Sequence, residues 1–67
     1  MQPTPQQLAE MLRCARRELA FRRQVYPGLV RKGRMAQAEA DRETAVQELI
    51  VSVLDSLQPD RLPGMEW

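Results

Sequence analysis

Apolar residues recur at helical spacing over two long stretches of the chain, and a segment holding Pro27, Gly28 and Gly33 separates them. In the first stretch Leu8, Met11, Leu12, Ala15, Leu19 and Tyr26 fall in one stripe roughly 100° wide, enough to face a single partner helix. Arg22 lies inside that stripe and Arg23 borders it. A smaller patch of Cys14, Phe21 and Val25 lies on nearly the opposite side. In the second stretch Ala45, Val46, Leu49, Ile50, Val53, Leu54 and Leu57 span roughly 180°, and Val51 lies beyond even that. One neighbouring helix needs only about 100°, so the excess must meet a second copy of the chain or a different protein.

Local signals set the boundaries. Thr4 can cap a helix, Pro5 suits its first position, and Gln7 completes a capping box. Helix 1 is predicted over about residues 5–25, because Pro27 disfavours helical geometry at Tyr26. Pro27 to Lys32 reads as a short helical turn stopped by a left-handed Gly33, with Leu29 and Val30 folding back; an irregular loop is the alternative. Helix 2 is predicted over about residues 36–57, ending before Pro59. No Ser, Thr, Asp or Asn stands at its start to cap it.

Residues 59–67, with two Pro and one Gly, read as a flexible C-terminal tail. Trp67 at its end is either a docking anchor or loosely packed, and loose packing is favoured. The expected fold is therefore all-α: an antiparallel helical hairpin over residues 1–58, with a short helical turn in the connection (26–35), dimerising into a four-helix bundle. The expected register pairs Leu8 with Leu54 and Leu12 with Ile50. It also brings Arg22 and Arg23 towards Glu39 and Glu43.

Size supports the dimer. A chain of 67 residues is at most one small domain, and its core alone is marginal. Its single cysteine, Cys14, cannot form an internal disulfide, and the absence of histidine excludes a Cys/His metal site. Oligomerisation is the remaining remedy. No apolar run approaches the ~18 residues of a membrane span. The free cysteine and the lack of a signal-like N-terminus lead to a cytoplasmic expectation.

Charge divides the chain. Residues 1–34 hold eight Arg and Lys against two Glu; residues 35–67 hold two Arg against seven acids, so the halves carry +6 and −5. Arg13, Arg16, Arg17, Arg31, Lys32 and Arg34 are candidate nucleic-acid contacts. Against that, the whole chain is nearly neutral, Arg22 and Arg23 face helix 2, and Glu18 stands four residues before Arg22.

Chemistry finds little to work with. There is no histidine for proton transfer, Ser52 and Ser56 have no base beside them, and no phosphate-binding or metal-ligand spacing occurs. Glu39, Asp41 and Glu43 suit the positive N-terminal end of helix 2 better than a carboxylate site. The expectation is no enzyme, no catalytic residue, no cofactor and no metal. Binding of a macromolecule fits best, through Val46, Leu49, Ile50, Val51, Val53 and Leu54 together with Cys14, Phe21 and Val25.

The run from Arg22 to Ile50 holds Tyr26, Pro27, Val30, Gly33 and Met35, followed by Ala38, Ala40 and Glu43. This Tyr-Pro-x-x-Val-x-x-Gly-x-Met pattern before an Ala/Glu-rich helix resembles a group of small phage- and prophage-encoded proteins. Those proteins often carry Thr or Ser where this chain has Ala36. The resemblance implies a phage origin and life in the bacterial cytoplasm. It implies one of two roles: engaging and inhibiting a host protein, or assisting phage DNA metabolism or regulation as an accessory DNA-binding protein. The first is favoured.

Overall fold

Two helices form because each stretch combines helix-forming residues with a well-defined start or stop. The computed structural model describes residues 1–61, of which Arg61 by its backbone alone. Residues 62–67, and with them Trp67, lie outside the described residues. Helix α1 spans Pro5–Arg31 and α2 spans Gln37–Ser56; a single 3-10 turn follows at Pro59–Arg61, at the start of the segment expected to be a tail. The described residues contain no strand, and the two helices pack against each other as an antiparallel hairpin.

The start of α1 is the capping box expected from Thr4 and Gln7. Thr4 Oγ1 accepts from the Gln7 amide at 3.1 Å, and Gln7 Oε1 accepts from the Thr4 amide at 2.9 Å. The end of α1 differs from expectation. The helix does not stop at Val25 but runs through Pro27 to Arg31, so the expected separate turn is the last part of α1 itself. Proline lacks the donor for one helical hydrogen bond and crowds the preceding turn. The helix continues through it all the same, with Tyr26, Pro27 and Val30 lining a cleft shared with Ala40 and Thr44 of α2.

Gly33 is the stop, as expected. Its φ of 71° is left-handed, its amide donates to the Val30 carbonyl at 3.0 Å, and the Arg34 amide donates to the Leu29 carbonyl at 2.9 Å. These two bonds form a Schellman motif, which satisfies carbonyls that the helix end leaves open. Helix α2 begins after Ala36, which has capping backbone geometry but no side-chain hydrogen bond to offer.

Leu8, Leu12, Ala15, Leu19, Arg22, Tyr26 and Leu29 follow one another at alternating spacings of four and three, and none is exposed. On α2 and just past it, Ala40, Thr44, Gln47, Val51, Leu54 and Gln58 do the same. Two such heptad-like rows are what two helices need to pack side by side. Leu12, Ala15, Leu19 and Ala40 are the buried apolar residues of this seam, and Gln47 and Gln58 are its buried polar ones.

Side-chain amides and one guanidinium bind helix carbonyls across the seam. Gln47 Nε2 donates to the Ala15 carbonyl at 3.0 Å, Gln58 Nε2 to that of Leu8 at 3.1 Å and, on its own side of the seam, to that of Leu54 at 2.8 Å, and Arg22 to that of Glu43 at 3.1 Å. Bonding of Gln58 to Leu8 lies about one helical turn from the expected pairing of Leu8 with Leu54, whereas Gln47 on Ala15 keeps the expected offset and Arg22 on Glu43 is a contact that the expected register also brings together.

Candidate interaction face

The two sides of the seam differ in chemistry. On one side, Arg16 pairs with Asp55 at 3.2 Å and Arg23 with Glu48 at 3.0 Å, stitching α1 to α2. On the other, Met11 of α1 forms a wholly apolar groove with Val46, Leu49, Ile50, Val53 and Leu54 of α2. At about 100° per residue, the strip of Val46, Leu49, Ile50, Val53 and Leu57 is turned roughly 120° from the seam row of the same helix. All five are exposed, Leu49 by 66%.

Cys14, Phe21 and Val25 extend this surface. Cys14 lines a shallow depression with Met11, Gln7 and Glu10, and Phe21 and Val25 follow at the same helical phase. The sequence reading set this patch on nearly the opposite side of α1. At roughly 110° from the seam through Ala15, Leu19 and Arg22, the patch keeps that outward turn and lies on the side of the α2 strip. Met1 aside, every exposed large apolar residue among those described lies on this one face: Met11, Phe21, Val46, Leu49, Ile50, Val53 and Leu57.

Of the residues expected to form an interface, Val46, Leu49, Ile50, Val53, Phe21 and Cys14 are exposed on the face, and Leu54 and Val25 sit half-buried at its edge. Val51 is the exception. It belongs to the seam row, half-buried between the helices, because α2 turns its mixed polar row inward and its more apolar strip outward. Met11 departs in the other direction: the sequence reading placed it in the inward stripe, and it is exposed. Gln47 and Gln58 carried no expectation. Their signal was their place in the row with Ala40, Thr44, Val51 and Leu54.

Arg22 sits at the border of seam and face, with only 21% of its side chain exposed. It donates to Glu18 at 3.0 Å and to the Glu43 carboxylate at 3.3 Å. The Glu18 hydrogen bond raises its pKa above the ordinary value; partial burial opposes this, and the Tyr26, Glu18 and Glu43 charges add to it. Glu43 is therefore the partner expected for Arg22. Arg23 reaches Glu48 rather than Glu39 or Glu43, and Glu39 makes no ion pair among the described residues.

The candidate nucleic-acid residues separate into two groups. Arg13 lies 3.8 Å from Glu10, Arg16 is held by Asp55, and Arg17 donates to Cys14 Sγ at 3.6 Å. Arg31, Lys32 and Arg34 are exposed at the hairpin tip and make no ion pair among the described residues. Arg13 and Arg31 are about 27 Å apart along α1 at 1.5 Å per residue. The described residues hold no cluster of three or more metal-ligating side chains, and no helix among them is long and apolar enough to cross a membrane. Compared with protein-family models, with characterised proteins and with solved structures, the chain finds no match.

Proposed function

We propose that the chain is a protein-binding module. It pairs with a second copy into a four-helix bundle, and in that form it engages and inhibits a host protein in the bacterial cytoplasm. The observation that carries this reading is the one-sided surface: large apolar side chains gathered on one face, ion pairs closing the other. Contiguous exposed apolar surface on a small protein marks an interaction site. The phage-like Tyr26-Pro27 pattern supports the choice of host and compartment.

Light scattering at micromolar concentration tests the pairing, and affinity capture from bacterial lysate with and without nuclease tests the target. The expected results are a mass of about two chains and a host protein retained after nuclease. A single-chain mass overturns the pairing, and capture that vanishes with nuclease overturns the protein target.

The exposed trio Arg31, Lys32 and Arg34 favours one second reading, an accessory DNA-binding protein that touches phosphate with the hairpin tip. Duplex binding would then weaken steeply with salt, and replacing the trio by Ala would flatten that dependence. Absence of binding at low salt removes this reading.

A further inference from the structure

The apolar strip of α2 has a symmetry of its own. Val46, Ile50, Val53 and Leu57 are spaced by four, three and four residues, so the strip reads the same in both directions. A two-fold contact demands such self-complementarity, because each residue must meet its counterpart's partner. The strip spans three turns without a charge. The neighbouring strip of α1, in contrast, carries Glu18 between Cys14 and Phe21. Burying that carboxylate would strip it of water. The centre of a contact therefore falls on α2.

We infer that a second copy of the chain lies antiparallel on this strip, α2 against α2, with the two-fold axis passing between Ile50 and Val53. This inference rests on the self-association proposed above and adds its geometry. Val46 then lies opposite Leu57 of the second copy, and Ile50 opposite Val53. Charge agrees with this direction. Arg42, one turn before Val46, is exposed and makes no ion pair among the described residues; Asp60, three residues beyond Leu57 in the 3-10 turn, is exposed and also interacts within its own chain. The antiparallel arrangement sets Arg42 beside the Asp60 end of the second copy. A parallel one would set Arg42 against Arg42.

The hairpin's own seam explains why the occupant is a second copy. Among the described residues it buries only Leu12, Ala15, Leu19 and Ala40 as apolar residues, and no side chain of them is fully enclosed. A core of that size leaves a chain this short marginal, and a second subunit is one of the usual remedies.

Cross-linking tests the geometry, in a Cys14→Ser background. Val46→Cys and Leu57→Cys chains, one of them isotope-labelled, are mixed by unfolding and refolding, then treated with a short bis-maleimide. The expected product joins one chain of each kind, while Val46→Cys alone gives little, since its two copies would sit about 16 Å apart along the helix axis. Self-linking of Val46→Cys overturns the antiparallel geometry and leaves self-association standing. A two-chain mass without the mixed product also overturns it. A single-chain mass overturns both. Should the cysteine variants fold poorly, charge exchange decides. Val46→Lys should weaken association several-fold and added Leu57→Glu should restore part of it, since the two face each other across the axis; no recovery overturns the geometry.

Discussion

The side-chain amide of Gln47 donates to the main-chain carbonyl of Ala15 at 3.0 Å, deep in the seam between the two helices. That carbonyl belongs to a residue of α1 that is itself buried. An amide can hold such a bond only where its helix stands at one height and one rotation. Gln47 therefore fixes register, much as a single polar residue does in a coiled coil. Gln47→Glu replaces the donor with a charged acceptor facing a carbonyl. It should lower unfolding stability by about 2 kcal/mol in urea. Gln47→Leu should stay within about 1 kcal/mol of the parent, since a satisfied polar pair and an apolar side chain of similar size nearly balance. Its cost should appear instead as doubled amide resonances from more than one register.

Arg22 and Glu43 give the second prediction. Arg22 reaches both the carboxylate and the carbonyl of Glu43, and Glu18 holds it from its own helix. A double-mutant cycle with Arg22→Met and Glu43→Gln should show a coupling of roughly 0.5–1 kcal/mol, the scale of a partly exposed pair. The same cycle run with Glu39→Gln should be additive, because Glu39 is not a partner of Arg22. Coupling to Glu39 and none to Glu43 would mean that Arg22 does not rest on Glu43 across the seam.

The helix junction gives the third. With Pro27 inside α1, Pro27→Ala restores a backbone donor and relieves crowding, and should stabilise the hairpin by roughly 1–3 kcal/mol. A proline in a free-standing turn would show the opposite sign or no effect. Gly33→Ala should destabilise by roughly 1 kcal/mol, since φ is 71° there although the space around it is open. Both are read from thermal melts.

Ala36 has extended backbone at the cap position of α2 with φ −74° and ψ 145°, and lacks only an oxygen. Ala36→Ser supplies it and should add about 1 kcal/mol of stability. An unchanged melting temperature would mean that the first turn of α2 is held by packing instead.

These residues also show what the chain reveals before folding. The capping box at Thr4, the left-handed Gly33 and the bare cap at Ala36 are local devices, and local devices can be read from neighbouring residues. The helical stretch through Pro27 was hidden because its compensation is tertiary, in the packing of Tyr26 and Val30 near Ala40 and Thr44. The inward row of α2 was hidden for a related reason. Apolar content alone points Val46, Leu49, Ile50 and Val53 at α1, whereas Gln47, Gln58 and Arg22 bind carbonyls across the seam and turn that strip to the surface. The apolar excess and most of the residues that form it were legible from the wheel; the inward place of Val51 and the outward place of Met11 were not.

Leu49 and Leu12 separate the hairpin from its assembly. Leu12 is buried in the seam, and Leu49 is two-thirds exposed on the outer strip. Leu12→Ala removes packing within one chain. It should cost roughly 2–4 kcal/mol, read as a fall in melting temperature. Leu49→Asp touches none of the seam, but it places a carboxylate where the second copy would exclude water. It should halve the mass seen by light scattering. Assembly also makes melting depend on protein concentration, because the bound state is favoured by mass action. The parent should therefore melt higher when concentrated, and Leu49→Asp should melt at one lower temperature at every concentration. Should Leu49→Asp keep a two-chain mass, the outer strip of α2 is not where the chains meet, and the pairing would have to be sought on another part of the surface.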